Sequence, residues 1–121
     1  ALADARKGLK MFEAVGVPVL GVIENMSTFI CPCCDKETEI FGSGGGERLA
    51  QESGVTLLGK LPLDGRIRAE TDGGRPTVVA DPDGPIAKRY REIARAAAAA
   101  LAKRPKDQRG KFGTIVVEGR K

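Results

Sequence analysis

Apolar residues along this chain follow two periods in turn, and the switches between them divide it into elements. Leu2, Ala5, Leu9 and Phe12 recur at three- and four-residue intervals, the spacing of one helix face, and Gly16 stands where a C-cap glycine would. An amphipathic helix is expected over 2–15. Val17-Pro18-Val19-Leu20-Gly21-Val22-Ile23 is rich in β-branched residues and almost wholly apolar, as in a strand buried on both faces of a parallel sheet. A short helix is expected over 45–53, and after Gly54 a second buried strand over 55–61, closed by Pro62. Another short helix follows at 64–72, and Thr77-Val78-Val79 reads as a third, shorter strand. Pro85 then suits the first position of the longest helix, along which Ile86, Tyr90, Ile93, Ala97 and Leu101 form one apolar stripe. The alanine run 96–100 raises its helix propensity, and Arg104-Pro105 stops it. Beyond lie a polar linker, 106–113, and a candidate edge strand, 114–118.

Helices alternating with buried strands place the chain in the α/β class. With 121 residues, 41% of them apolar, it has material for one domain with a core. No stretch approaches the ~20 apolar residues of a membrane span, and Ala1-Leu2-Ala3-Asp4-Ala5-Arg6 is too charged for a secretory signal. The expectation is a cytoplasmic protein without membrane contact, and the absence of an initiator Met suggests a fragment. The net charge of +4 is unevenly spread: residues 1–87 carry 9 Lys/Arg against 13 Asp/Glu, and residues 88–121 carry 11 against 3. A basic C-terminal region can attract nucleic acid, but only Tyr90 and Phe112 there are aromatic. A solvated basic face is therefore preferred to a nucleic-acid surface.

The candidate chemistry is concentrated in Cys31-Pro32-Cys33-Cys34, which holds all three cysteines of the chain. Cys31 and Cys34 can converge on one ion if the chain makes a knuckle between them. Pro32 fixes φ at the start of that turn, and the amides after it can donate to thiolate sulfur. A tetrahedral zinc or a cubane cluster wants about four ligands. This chain has three Cys and no His, so thiolates from one copy cannot complete the site. A two-fold dimer, offering Cys31 and Cys34 from each protomer, can. Cys33 is then spare. A thioredoxin-like redox pair and a merely structural thiol cluster are the alternatives; the former is disfavoured because the motif does not open a helix.

The glycine run Gly42-Ser43-Gly44-Gly45-Gly46 at a helix start has two readings, a hinge for the Cys loop and, less favoured, an anion cradle. Gly54-Val55-Thr56-Leu57-Leu58-Gly59-Lys60 matches the first seven positions of a phosphate-binding loop. It is rejected, because its middle is strand-like and Leu61 replaces the hydroxyl that would hold magnesium.

Several segments together resemble the Mrp/ApbC-type iron-sulfur cluster carrier ATPases. They are Gly21-Val22-Ile23-Glu24-Asn25-Met26-Ser27, the Cys motif, Ile40-Phe41-Gly42-Ser43-Gly44-Gly45-Gly46-Glu47-Arg48-Leu49-Ala50, Gly59-Lys60-Leu61-Pro62-Leu63-Asp64 and Gly74-Arg75-Pro76. That family belongs to the deviant P-loop ATPases, with the MinD and ParA proteins and nitrogenase iron protein. The resemblance implies the C-terminal part of a doubly wound, mainly parallel P-loop NTPase fold, over 1–104, followed by a basic tail, 105–121. It implies a homodimer bridging a 4Fe-4S cluster through Cys31 and Cys34 of each subunit, ATP with magnesium near the interface, and delivery of the cluster to apo iron-sulfur acceptor proteins. Asn25 corresponds to the residue that reads adenine, and Pro62, Leu63 and Asp64 to the loop flanking the base. A cap or turn role for Asn25, and an N-cap role for Asp64, stand beside these. The family's phosphate loop and magnesium-binding segments normally precede everything seen here, so this stretch alone is not expected to hydrolyse ATP. The rival readings are a zinc-stabilised interaction module and a ParA/MinD-like positioning ATPase.

Overall fold

The computed structural model describes residues 1–105; the expected linker over 106–113, the expected edge strand over 114–118 and almost all of the basic tail lie outside them. Among the described residues nine elements succeed one another: α1 (Leu2–Ala14), β1 (Gly21–Glu24), β2 (Phe29–Ile30), β3 (Glu37–Thr38), α2 (Gly45–Ser53), β4 (Thr56–Lys60), α3 (Gly65–Asp72), α4 (Thr77–Ala80) and α5 (Pro85–Ala102). The class is α/β, as expected, with a small parallel sheet.

Helix α1 ends as its sequence foretells. Gly16 takes φ +70, so the Gly16 amide reaches the Glu13 carbonyl and the Val17 amide the Phe12 carbonyl, a Schellman closure that a side chain at position 16 would strain. After it, β1 pairs in parallel with β4, Gly21 opposite Thr56 and Glu24 opposite Lys60. The strand is shorter than the apolar run from Val17. Its register slips between Val22, opposite Leu57, and Ile23, opposite Gly59, leaving Leu58 as an extra residue on β4. Such a bulge re-aims the side chains beyond it. Leu57 reaches Gly46 of α2, whereas Gly59 faces Ile93 of α5, so consecutive parts of β4 serve different helices.

The core is small: Leu49 and Ala50 of α2, Leu61 and Pro62 after β4, and Ile86, Ala87 and Ile93 of α5. α5 packs mainly on β4 and α4, and α2 on β1 and β4. At Gly59 a Cβ would lie 2.5 Å from Ile93 Cγ1, so the glycine lets α5 approach the strand. No helix of the described residues is long and apolar enough to cross a membrane.

The expected strand at Thr77-Val78-Val79 is corrected: these residues form α4. Pro76, at φ −56 and ψ 154, sets the N-cap, and its carbonyl accepts from the amides of Val79 and Ala80. Among the described residues no strand edge pairs with this segment, so a local turn of helix satisfies its backbone where β propensity could not. The three other expected helices after α1 match closely, α2 over the expected 45–53 and α3 over 65–72 behind its cap at Asp64.

Candidate metal centre

The Cys motif is the tip of a hairpin that sequence periodicity did not reveal. β2 and β3 pair antiparallel, Phe29 with Thr38 and Ile30 with Glu37, and the chain turns between Cys31 and Lys36. The Cys31 amide donates to the Lys36 carbonyl at 3.0 Å, and the Asp35 amide to the Cys31 carbonyl at 2.9 Å. Asp35 closes the turn at φ +54, a left-handed conformation that Asp tolerates better than most side chains. Matched short runs either side of the cysteines, Thr28-Phe29-Ile30 and Glu37-Thr38, were the available signal.

Within this knuckle the backbone is arranged for a thiolate. The amides of Cys33, then Cys34, together with the Cys34 thiol, hold the Cys31 thiol below the usual cysteine range by favouring its charged form. Cys31 is half-buried, Cys33 and Cys34 are exposed, and all three are free thiols. Soft sulfur donors, one of them held below the usual thiol range, fit a thiophilic metal or cluster. Among the described residues no group of three or more Cys, His, Asp or Glu side chains is arranged to hold a metal ion. The donors among the described residues therefore form no complete site by themselves.

The hairpin is rooted at the C-terminal ends of the parallel strands, where open α/β sheets bind ligands. Leu61 N donates to Glu24 O at 2.8 Å, Ser27 N to Leu61 O at 2.9 Å, Leu63 N to Thr28 O at 2.6 Å and Ile30 N to Leu63 O at 3.3 Å. The Ser27 hydroxyl, buried, also donates to Leu61 O. The β2 arm thus leans on the 61–63 turn. Pro62 is fully buried there, so its side chain shapes the turn and offers no contact surface.

The remaining sequence-expected residues fall into two places. Asn25 comes directly after β1 and is exposed, and its Oδ1 accepts from the Met26 amide at 2.9 Å, which helps Met26 hold φ +53. It lines a cleft of about 460 Å3 with Ser43, Gly45, Gly46 and Arg48. Asp64 instead lines a separate cleft of about 530 Å3 with Pro32 and Asp35 of the knuckle. Its carboxylate caps α3 through the Arg66 amide at 2.9 Å and pairs with the Arg66 guanidinium at 2.6 Å. Arg66 holds the Asp64 carboxyl below the usual range, outweighing burial. The structure places Asp64 in one cleft with Pro32 and Asp35, and Asn25 in another.

The phosphate-loop look-alike is disposed of by pairing. From Thr56 to Lys60 the chain is strand β4 against β1, so its backbone is extended in a ladder and cannot cradle an anion. Lys60 pairs with Glu47 and lies 3.8 Å from Glu24, a trio across the strand ends that the sequence did not announce. In the glycine run, Gly42 and Gly44 take positive φ, and Gly46 admits α2 against Glu24, whose Cβ would be 2.9 Å from one on Gly46.

Fold and site define a class of protein: a parallel α/β segment that presents paired thiols on a hairpin beyond its strand ends. Residues 1–98 match the ParA family model, described as NUBPL iron-transfer P-loop NTPase. The chain is 53% identical over 94 residues to the iron-sulfur cluster carrier protein of Pseudomonas fragi, covering 78% of this chain and 33% of that protein. It is 48% identical over 101 residues to the iron-sulfur cluster carrier protein of Escherichia coli K12, covering 84% and 27%. With the iron-sulfur cluster transfer protein NUBPL of Dictyostelium discoideum it shares 45% over 95 residues, covering 78% and 29%. The chain belongs to the ParA/NUBPL family of iron-transfer P-loop NTPases, and spans about a third of the length of these relatives.

Proposed function

We propose that this chain is the cluster-holding portion of an iron-sulfur carrier, and that its cargo is a 4Fe-4S cluster bound between two copies. Cys31 and Cys34 of each copy supply four thiolates; Cys33 is not a ligand. The observation that carries this is the knuckle itself, where the amides of Cys33 and Cys34 favour a thiolate at Cys31 on a hairpin rooted at the strand ends. The incomplete donor set of one chain supports sharing between two. Names of the relatives support the cargo.

Such a centre suits transfer. A cluster bridging two surfaces is released by separating them, and half-exposed sulfur admits an acceptor protein's thiols for exchange. In the full-length form, bound ATP with magnesium would supply the binding energy to alter the interface. Asn25 is the residue assigned to read adenine, a role that its position after β1 beside the glycine turn supports. Pro62 shapes the neighbouring turn, and Asp64, committed to Arg66, holds α3. Hydrolysis is assigned to the full-length form alone. Leu57 against α2 and Gly59 against α5 support the doubly wound arrangement.

Anaerobic reconstitution with iron and sulfide is expected to give a brown dimer with broad visible absorption. Cys31→Ser or Cys34→Ser is expected to abolish the colour, and Cys33→Ser to keep it. A colourless protein with stoichiometric zinc, or a loaded monomer, refutes the proposal.

A further inference from the structure

Among the described residues, one ion pair ties the Cys hairpin to the helical layer. Glu37, the first residue of β3, accepts from the Thr28 hydroxyl at 2.6 Å, and the Arg89 guanidinium of α5 lies 3.2 Å from its Oε2 and 2.9 Å from its Oε1. Thr28 precedes β2, Glu37 comes after the knuckle, and Arg89 is 52 residues further along. One carboxylate therefore closes the mouth of the hairpin and fastens it to α5. The Thr28 hydroxyl, and after it Arg89, keep that carboxyl below the usual range, so it stays charged at neutral pH.

The exposure of the pair separates two roles it could have. Arg89 and Glu37 keep 33% and 40% of their side-chain surface in water, and ion pairs so exposed add little to global stability. A fastening this weak thermodynamically still removes a degree of freedom: the hairpin is only two residues long in each strand, and its hydrogen bonds to the 61–63 turn come from the β2 side. Both halves of a shared centre must hold their sulfurs in one orientation for four to meet, so a pivoting hairpin loses the site without unfolding the domain.

We propose that Glu37, held by Thr28 and Arg89, is the positioning residue of the metal centre, fixing the hairpin that carries Cys31 and Cys34 against α5. This rests on the carrier reading above. The test uses the full chain in two states. Without metal, Glu37→Gln and Arg89→Met are expected to raise hydrogen exchange at the Cys31 and Asp35 amides about threefold while leaving the thermal midpoint unchanged. After reconstitution, both are expected to hold cluster several-fold less firmly against a chelator, with altered visible circular dichroism. The charge-swapped pair, Glu37→Arg with Arg89→Glu, is expected to restore both readouts in large part. Thr28→Val, which deletes only the hydroxyl, reports on the same carboxylate if Glu37→Gln fails to fold. Unchanged hairpin exchange and unchanged cluster retention in these variants, with colour still lost in Cys31→Ser, overturn the positioning role and leave the carrier reading intact. A wild-type chain that takes up no cluster overturns both.

Discussion

Helices α1 and α5 are both amphipathic by sequence, yet they fare differently. α5 buries Ile86, Ala87 and Ile93 against β4 and α4. α1 buries no residue, and Met11 and Phe12 remain 57% and 42% exposed, with Val15 and Val17 beside them at 68% and 46%. Periodicity specifies which face of a helix is apolar; the presence of a facing surface decides whether that face stabilises anything. α5 has such a surface because Gly59 removes the side chain that would hold it off. Among the described residues α1 meets chiefly α2, where Arg6 pairs with Glu52 at 2.8 Å and the Leu2 side chain lies beside Gly45 without being buried.

The contrast can be broken most forcefully at Ile93. Ile93→Ala is expected to cost about 2–5 kcal/mol, measured as a fall in the urea midpoint, because it empties the contact between α5 and β4. Gly59→Ala attacks the same contact from the strand side. The added Cβ must displace Ile93, and a loss of about 1–3 kcal/mol is expected. Next comes the cap: Asp64→Ala removes the acceptor for the Arg66 amide and is expected to cost about 1 kcal/mol. Asp64 also gives the fold a pH dependence of definite sign. Its carboxyl is depressed in the folded state, so its contribution is present above the ordinary carboxyl range and lost as pH falls through the folded value. Asp64→Asn should therefore flatten the acid limb of the stability profile, seen by unfolding at a series of pH values. The smallest effect belongs to α1: Met11→Ser is expected to change the stability of this chain by no more than about 0.5 kcal/mol. A loss there comparable to Ile93→Ala would erase the distinction between the two helices.

Much of this was legible in residue order, for reasons that differ by element. Gly16, Gly54, Asp64 and Pro85 bracket helices through local chemistry that the residues carry with them, so those boundaries could be read. Thr77-Val78-Val79 could not, because β-branched residues express their preference only where a strand edge is within reach. The cysteine spacing announced a turn, and the chain does turn between Cys31 and Lys36, with the Cys31 thiol held below its usual range. What no local pattern contains is the meeting of Glu37 with Arg89, or of Glu24 and Glu47 with Lys60. Those are products of topology. Asn25 and Asp64, linked through the family resemblance, line different clefts.

That insertion bears on how the segment tolerates change. The excursion leaves the chain after Ser27 and rejoins it before α2, while the β1–β4 ladder closes beneath it through Glu24, Ser27 and Leu61. The knuckle is thus a cassette on a scaffold whose pairing does not depend on it. Other loops are expected to be tolerated between the same two points, and the knuckle to be transplantable to a parallel crossover that supplies a turn like 61–63 for it to sit on.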